Sequence, residues 1–349
     1  MSGEPFPEKL AASISEMLRL GLTDCPVKLE WHKPLPLEGW FLAARSHELK
    51  PCGVIGFDLQ DQPLVIFRGE DGTPRTVPAH CPHMGAHLQH GTVKGNALQC
   101  PLHHKRFEAS SPTHAPDHPL CLPALPTREA YGGVWVRACD PREPTPFPIF
   151  DGVGEEMLHF KHGRPVLVRC PWQAVVANAF DLNHFQKVHE RALYGTPNIT
   201  DHGQHIVFRY VSKVTGSSLP DRMMRLLSGN RIDVTICWHG SVLTVRTRTR
   251  YRETFLWLSF IPVTDGTLVK PVYAVLRGRI PLLSWLRVQV AGWLFHAFLR
   301  KDIIILERMR FAPSVTPEED PCLNTFLRFT ERKIFDEFHE APSSQPNQP

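Results

Sequence analysis

The sequence predicts an α+β fold in two parts: an all-β first domain, then a second domain with an antiparallel sheet and flanking helices. Three observations lead there. Residues 39–137 break into short β-rich runs separated by Gly, Pro and Asp, the spacing of a small antiparallel barrel or sandwich. Pro141-Arg-Glu-Pro-Thr-Pro-Phe-Pro148 follows, and its four prolines make a stiff linker. Beyond it, strand-like and helix-like stretches are segregated rather than alternating. The length of 349 residues agrees, at roughly 150 residues per domain. So does the composition, 42% hydrophobic and 21% charged, which is that of a globular chain.

Taken in order, residues 8–22 place Leu10, Ile14, Met17 and Leu18 at helical spacing, within a lead-in assigned to 1–34. The first domain is assigned to 35–143, with strands at 40–44, 53–58, 63–68, 76–79 and 132–137. The second is assigned to 144–340. It is expected to begin with a strand at 165–169 and a helix at 172–188, and to continue with strands through 205–280, among them 232–238, 242–248, 254–260 and 272–278. Helices at 285–310 and 323–338 close it. The Pro/Ser/Gln-rich segment 341–349 is expected to be a disordered tail.

Several function classes fall away. Thirty-nine Lys+Arg against 35 Asp+Glu give a net charge of +4, too balanced for a nucleic-acid binder of this length. The longest uncharged apolar stretch near the C-terminus, 288–299, has 12 residues, short of the roughly 18 a membrane span needs, so no membrane association is expected. Residues 1–26 lack a basic end followed by an apolar run, the pattern of a secretory signal. Nine scattered cysteines, an odd number, do not form a disulfide framework. The expectation is a cytoplasmic protein in a reducing compartment.

One figure stands out. Eight of the nineteen histidines lie within residues 80–118, where even spreading would place roughly two, and Cys81 and Cys100 lie among them. The ligand types sort into Cys81-Pro-His83 and, sixteen residues later, Cys100-Pro-Leu-His103. Two Cys/His pairs could make a tetrahedral zinc site. Cys-x-His is tighter than finger spacing, however, and both pairs fall in β-rich loops. The pattern is that of a Rieske [2Fe–2S] centre, in which two cysteines hold one iron and two histidines the other. Pro82 and Pro101 stiffen the loops, while His80, His87, His90 and His104 read as loop surface or packing.

A second constellation follows Trp172: Asn178-Ala-Phe-Asp181-Leu-Asn-His184-Phe-Gln-Lys-Val-His189. Asp181 and His184 share a helix face. His184 and His189 are five apart, about 140° around an ideal helix, so they reach one metal only if the helix ends or widens between them.

Joined to the Cys/His pairs, the run Asn178…Asp181-x2-His184-x4-His189 resembles the catalytic domain of the Rieske non-haem iron oxygenases. The resemblance spans about 35–340 and includes Trp172, placed before the helix as in the family. It implies that Cys81, His83, Cys100 and His103 hold the cluster and that His184 and His189 are two ligands of a mononuclear Fe(II). The third would be a downstream carboxylate, Asp302 in Arg300-Lys-Asp-Ile-Ile-Ile-Leu-Glu307, with Glu307 its rival. It also implies that Asp181 bridges His184 to a cluster histidine, His103, of the adjacent chain in a head-to-tail homotrimer, with Asn178 beside the iron. Respiratory-complex Rieske proteins join their loops by a disulfide; Ala86 and Leu102 stand at those positions here, as in the oxygenase and ferredoxin branches. No Gly-x-Gly-x-x-Gly fingerprint and no second cluster motif of four cysteines is found, so electrons would come from a separate NAD(P)H-dependent reductase or ferredoxin.

Size and motifs resemble the monooxygenase branch. Trp40-Phe-Leu-Ala-Ala-Arg-Ser-His-Glu-Leu-Lys50 and Cys100-Pro-Leu-His-His-Lys-Arg-Phe107 are most similar to the group of natural-product tailoring enzymes that includes aminopyrrolnitrin oxygenase. Lys105 departs from the Trp common at its place, and His104 stands where many members have Gly. The expected activity is use of O2 to oxygenate a small hydrophobic substrate, aromatic or arylamine compounds among the candidates. The alternatives are a Rieske electron-transfer protein without oxygenase activity, an O- or N-demethylating Rieske monooxygenase, and a non-catalytic zinc module.

Overall fold

The computed structural model describes residues 29–110, 120–138, 145–314 and 318–339; the expected helix at 8–22 and the tail 341–349 lie outside them. The first half carries ten strands: β1 (Gly39–Arg45), β2 (Val54–Leu59), β3 (Gln62–Arg68), β4 (Pro74–Pro78), β5 (Thr92–Lys94), β6 (Ala97–Gln99), β7 (Arg106–Ser110), β8 (Cys121–Pro123), β9 (Thr127–Ala130) and β10 (Gly133–Ala138). Among the described residues they form three small sheets, ordered β1-β10-β9, β2-β3-β4 and β5-β6-β7-β8, in which the β7–β8 pair is parallel and the others antiparallel. Val65, Phe67, Val77, Leu98 and Phe107 fill the core beneath the two histidine-rich loops.

The second half is built on one nine-stranded antiparallel sheet. Its strands are β11 (Leu158–His162), β12 (Val166–Val168), β13 (Arg191–Leu193), β14 (Asn198–Asp201), β15 (Ile206–Val214), β16 (Ile232–Trp238), β17 (Val242–Thr249), β18 (Glu253–Val263) and β19 (Gly266–Leu276). The order is β11-β19-β18-β17-β16-β15-β13, with β12 paired to β19 and β14 to β15. β16 shows plain alternation, burying Ile232, Val234, Ile236 and Trp238. β18 is buried without a break from Phe255 to Pro262, because both of its faces are covered. Phe255 and Trp257 share a core with Trp40, Leu42 and Trp135 of the first half, while Leu256, Leu258 and Phe260 point into the core on the opposite side. Ser259 Oγ accepts the Leu42 N–H at 2.9 Å, and Ser241 Oγ donates to the Trp40 carbonyl at 2.8 Å, so buried polar groups at this seam are paired.

Among the described residues, five α-helices pack on the sheet: α1 (Trp172–Ala177), α2 (Leu182–Lys187), α3 (Leu219–Ser228), α4 (Pro281–Leu306) and α5 (Pro321–His339). Two expectations are corrected here. The helix expected at 172–188 is two short helices, because the chain leaves helical geometry before Asp181, which starts α2 in an extended conformation. The span 205–280 is not all strand: Ser218 caps α3 inside it, with Pro220 in its first turn and Gly229, at φ 61°, ending it. α4 lies on β19, where Gly292 lets it approach the Tyr273 ring; a Cβ there would stand 3.2 Å from the ring. At 26 residues α4 is long and apolar enough to cross a membrane by length and composition, which the 12-residue uncharged stretch did not suggest.

Away from the metal-ligand candidates, His202, His205 and His239 form a row of stacked rings, with centroids 4.9 and 5.3 Å apart. Burial, helped by the charge of His205, pushes His239 down to about 4 from 6.5, so the folded protein keeps this ring neutral where the unfolded chain protonates it. Stability from this residue is complete above pH 6.5 and is lost as pH falls toward 4, at about 1.4 kcal/mol per pH unit. Urea titrations between pH 7 and pH 4.5 should show that slope, and His239→Gln should flatten it; an unchanged slope in the variant would assign the acid lability elsewhere.

Candidate metal centres

Each Cys/His pair sits in a loop closed by the same two backbone hydrogen bonds. The Cys81 N–H donates to the Ala86 carbonyl (3.0 Å) and the Gly85 N–H to the Cys81 carbonyl (2.8 Å). In the second loop, the Cys100 N–H donates to Lys105 (2.9 Å) and the His104 N–H to Cys100 (3.1 Å). This closure places the fourth residue after the cysteine in the left-handed region: Gly85 at φ 72° and His104 at φ 56°. The two loops therefore face each other as near copies. Cys81 and Cys100 are buried, whereas His83 and His103 are exposed with their rings 4.8 Å apart. Neither cysteine is in a disulfide. Burial alone would raise the Cys100 thiol, but the N–H groups of Leu102 and His103 and the Cys81 thiol outweigh it and hold it below its ordinary range. Sulfur donors inside and nitrogen donors outside are the division that a cluster with one thiolate-bound and one imidazole-bound iron requires.

His104 occupies a conformation that costs an L-residue about 1 kcal/mol or more. His104→Gly should accordingly leave the loop intact and raise holoprotein stability by about 0.5–1 kcal/mol, after the glycine's own entropy is offset. Thermal unfolding of the two proteins reads this directly, and a lower Tm for the variant would mean that the imidazole makes a contact worth more than the strain.

Asp181 caps α2, its Oδ1 accepting the His184 N–H at 2.8 Å. α2 ends at Lys187, which removes the helical constraint on the five-residue spacing and lets His189 turn back beside His184. His184 Nε2 lies 3.1 Å from His189 Nε2, and each lies 2.8 Å from Asp302 Oδ1. Among the described residues, this is the group of three whose donor atoms could hold a metal ion. Burial raises the Asp302 carboxyl, but the two imidazoles outweigh it and hold it below the usual carboxylate range. Burial lowers His189, more than Asp302 raises it, so its ring is neutral with a lone pair to donate. Two imidazoles and a carboxylate on one side of a cavity are the donor set of a 2-His-1-carboxylate Fe(II) site. Glu307 lies past the end of α4, 3.2 Å from Arg169 at the surface, and takes no part in this group.

The triad opens into a cavity of roughly 1520 Å³, bounded by Asn178, His189 and Asp302 at one end and by apolar side chains of β15–β19, α3 and α4 elsewhere. Tyr210, Ile236, Phe255, Leu256, Leu258 and Phe260 contribute to its walls, together with residues of α4 such as Leu286, Val290 and Phe295. The Asn178 side-chain nitrogen is buried without a hydrogen-bond partner at this end, an unspent donor facing the site. Phe298 stacks flat on His189 at 3.4 Å.

Four residues around the triad escape the sequence reading. Arg191 donates to the His189 carbonyl (3.0 Å) and pairs with buried Asp221 of α3 (2.8 Å), tying the loop after α2 to the cavity wall. Glu190, between His189 and Arg191, sits at φ 52°, a locally strained backbone position. Asp320 Oδ2 accepts the Leu182 N–H that begins α2 (3.0 Å), and its Oδ1 accepts the N–H groups of Cys322 and Leu323 that begin α5. One buried carboxylate thus starts two helices. Asp320-Pro321 has the cap-then-proline form of a helix start and could have been read; nothing in the sequence links Arg191 to Asp221.

Comparison with known proteins agrees with the loop geometry. Residues 39–126 match the Rieske [2Fe–2S] domain family. This part of the chain is a Rieske domain. The chain is similar to cholesterol 7-desaturase nvd of Bombyx mori, 33% identical over 168 residues, 46% of this chain and 37% of that one. It is also similar to aminopyrrolnitrin oxygenase PrnD of Pseudomonas fluorescens, 33% identical over 168 residues, 43% of this chain and 45% of that one. The chain spans less than half the length of these curated relatives. The whole fold, Rieske domain and large sheet together, is that of dicamba monooxygenase bound to dicamba, with a TM-score of 0.64 at 19% identity over 88% of this chain and 100% of that one. NdmA of Pseudomonas putida CBB5 has the same fold, with a TM-score of 0.62 at 18% identity over 89% of this chain and 97% of that one.

Proposed function

We propose that this protein is the oxygenase component of a Rieske oxygenase system. It takes electrons from a separate NAD(P)H-dependent reductase or ferredoxin and uses O2 to oxygenate an apolar substrate. The observation that carries the reading is the convergence of His184, His189 and Asp302 at one end of a large apolar cavity, in a chain that also bears a Rieske domain. Residues 35–143 then serve as the electron-accepting part and 144–340 as the oxygen-activating part. Cys81, His83, Cys100 and His103 hold the cluster, and the triad holds the iron. When bound, the cluster supplies single electrons and the Fe(II) supplies the open positions at which O2 is activated.

The chain's own residues do the rest. The apolar walls exclude water and orient the substrate. The Asn178 amide offers its unpaired N–H to a polar group of the substrate at the metal end. The exposed imidazoles of His83 and His103 form the edge through which electrons leave. Asp181, half-buried at the start of α2, is the carboxylate placed to join His184 to His103 of an adjacent subunit in a head-to-tail trimer, a closed ring of heterologous contacts. The cavity exceeds the roughly 300–1,000 Å³ of ordinary ligand sites, so the substrate range extends from small aromatics and arylamines to multi-ring molecules.

The test is single turnover of the reduced holoprotein under ¹⁸O₂ with a panel of arylamines, lipophilic aromatics and sterol-sized polycycles. Product carrying one labelled oxygen is expected for hydroxylation, and loss of an alkyl group as labelled aldehyde for demethylation. Iron and sulfide analysis giving two irons per chain, or zinc without sulfide, would overturn the reading.

A further inference from the structure

We propose that the face formed by α3, the first half of α4 and the β17–β18 turn rests on an anionic lipid bilayer, from which the cavity takes its substrate. The second clause rests on the cavity being the substrate site. α4 is apolar on both sides. Ser284, Val288, Gly292 and Leu299 face inward and are buried, but on the outer side Leu282, Trp285, Leu286 and Trp293 are 42–65% exposed. A helix that is hydrophobic all round is normally covered all round. The exposed apolar surface continues onto α3, where Leu226 is 79% exposed, and onto Tyr251 at the turn, 57% exposed. Leu226, Tyr251, Leu286 and Trp293 also line the cavity, so this surface surrounds its mouth.

The charge pattern selects the occupant. Residues 266–301 contain no Asp or Glu, but they do contain Arg277, Arg279, Arg287 and Arg300. The turn adds exposed Arg250 and Arg252. Of the acidic residues that flank these segments, Asp221 pairs with Arg191, Glu253 pairs with Arg246 and Arg248, Asp302 faces His184 and His189, and Asp265 stands in the β18–β19 turn, at the opposite end of β18 from this face. A second copy of the chain would bring two such basic faces together. An anionic bilayer instead pairs the arginines with phosphate and receives the leucines and aromatic rings at the headgroup boundary, as interfacial helices do. A lipophilic multi-ring substrate is concentrated in that phase, and the apolar mouth lets it enter the cavity without crossing water.

Flotation of the purified holoprotein with vesicles of phosphatidylcholine, alone or mixed with phosphatidylglycerol, tests this without turnover. The protein should float with the mixed vesicles, at least about tenfold more tightly than with phosphatidylcholine alone, and added salt should release it. Leu282→Glu/Trp285→Glu, two positions outside the cavity lining, should lose the binding while keeping the cluster absorption. No flotation, or equal flotation by the variant, overturns the proposal. So does a smaller oligomer in the variant by light scattering with vesicle binding unchanged, which assigns the face to a second copy. A triad that holds no iron would appear in metal analysis and leave flotation unaltered, so failure of the oxygenase reading is separately visible.

Discussion

Asp302→Ala is expected to take the protein from about three irons per chain to about two, with the visible spectrum of the cluster unchanged. Among the described residues, Asp302 is the carboxylate whose oxygen lies 2.8 Å from both His184 and His189 Nε2, so its removal leaves two imidazoles facing each other at 3.1 Å with no anion to hold a cation. Oxygenation of whichever compound the ¹⁸O₂ screen identifies should fall by at least about a hundredfold, since loss of a ligand exceeds the 10–100-fold typical of residues that only support one. Glu307→Ala should retain the third iron, because Glu307 pairs with Arg169 at the surface. Iron counts measured side by side decide the matter: if the first variant keeps the iron and the second loses it, the assignment of Asp302 is wrong.

Asp181 has a local duty and a proposed distant one, and the two can be separated by chemistry. Its Oδ1 caps α2 by accepting the His184 N–H, a duty that asparagine performs about as well. A link from His184 to a neighbouring cluster histidine, by contrast, needs a carboxylate that can accept from two imidazoles. Asp181→Asn should therefore keep both metal centres and unfold within a few tenths of a kcal/mol of the parent, while substrate-coupled electron transfer from the cluster slows by about a hundredfold or more. Asp181→Ala should lose the cap as well, at a cost of about 1 kcal/mol. Stopped-flow reoxidation of the reduced cluster in the presence of substrate reads the electron step apart from stability. Full-speed reoxidation in the asparagine variant would leave Asp181 as a helix cap and nothing more.

The cluster loops were legible because their chemistry is local. Cys81-Pro-His83 and Cys100-Pro-Leu-His103 each hold their donors within a few residues, and the β-rich texture around them is carried by turn residues. β16 could be read to the residue because one of its faces is buried and its alternation is clean. The group His184, His189 and Asp302 was legible only through resemblance. Asp302 lies 113 residues beyond His189, and no periodicity announces which of Asp302 and Glu307 faces inward. The His184–His189 spacing left open whether the helix ends or widens, and the structure answers that it ends at Lys187. α3 was missed because its apolar residues, Leu219, Met224, Leu226 and Leu227, sit in a short segment between strong strands, and the cap at Ser218 is its clearest signal. Arg191–Asp221 and the double cap by Asp320 are tertiary facts, set by which loops meet, and only the latter left a trace in sequence.

The seam between the halves has a consequence for how charge moves. Trp40, Leu42 and Trp135 share one close-packed core with Phe255 and Trp257, and β18 is the partition wall for both halves. The part that carries the cluster is therefore not a pendulum on a tether that swings between donor and acceptor. It is set in masonry. Within one chain the gap between the two candidate metal centres is then a fixed span, and on the oxygenase reading distance cannot serve as a throttle. On that reading the current is regulated by the make-up of the contacts at its ends: who docks at the imidazole edge, and what occupies the cavity when they do.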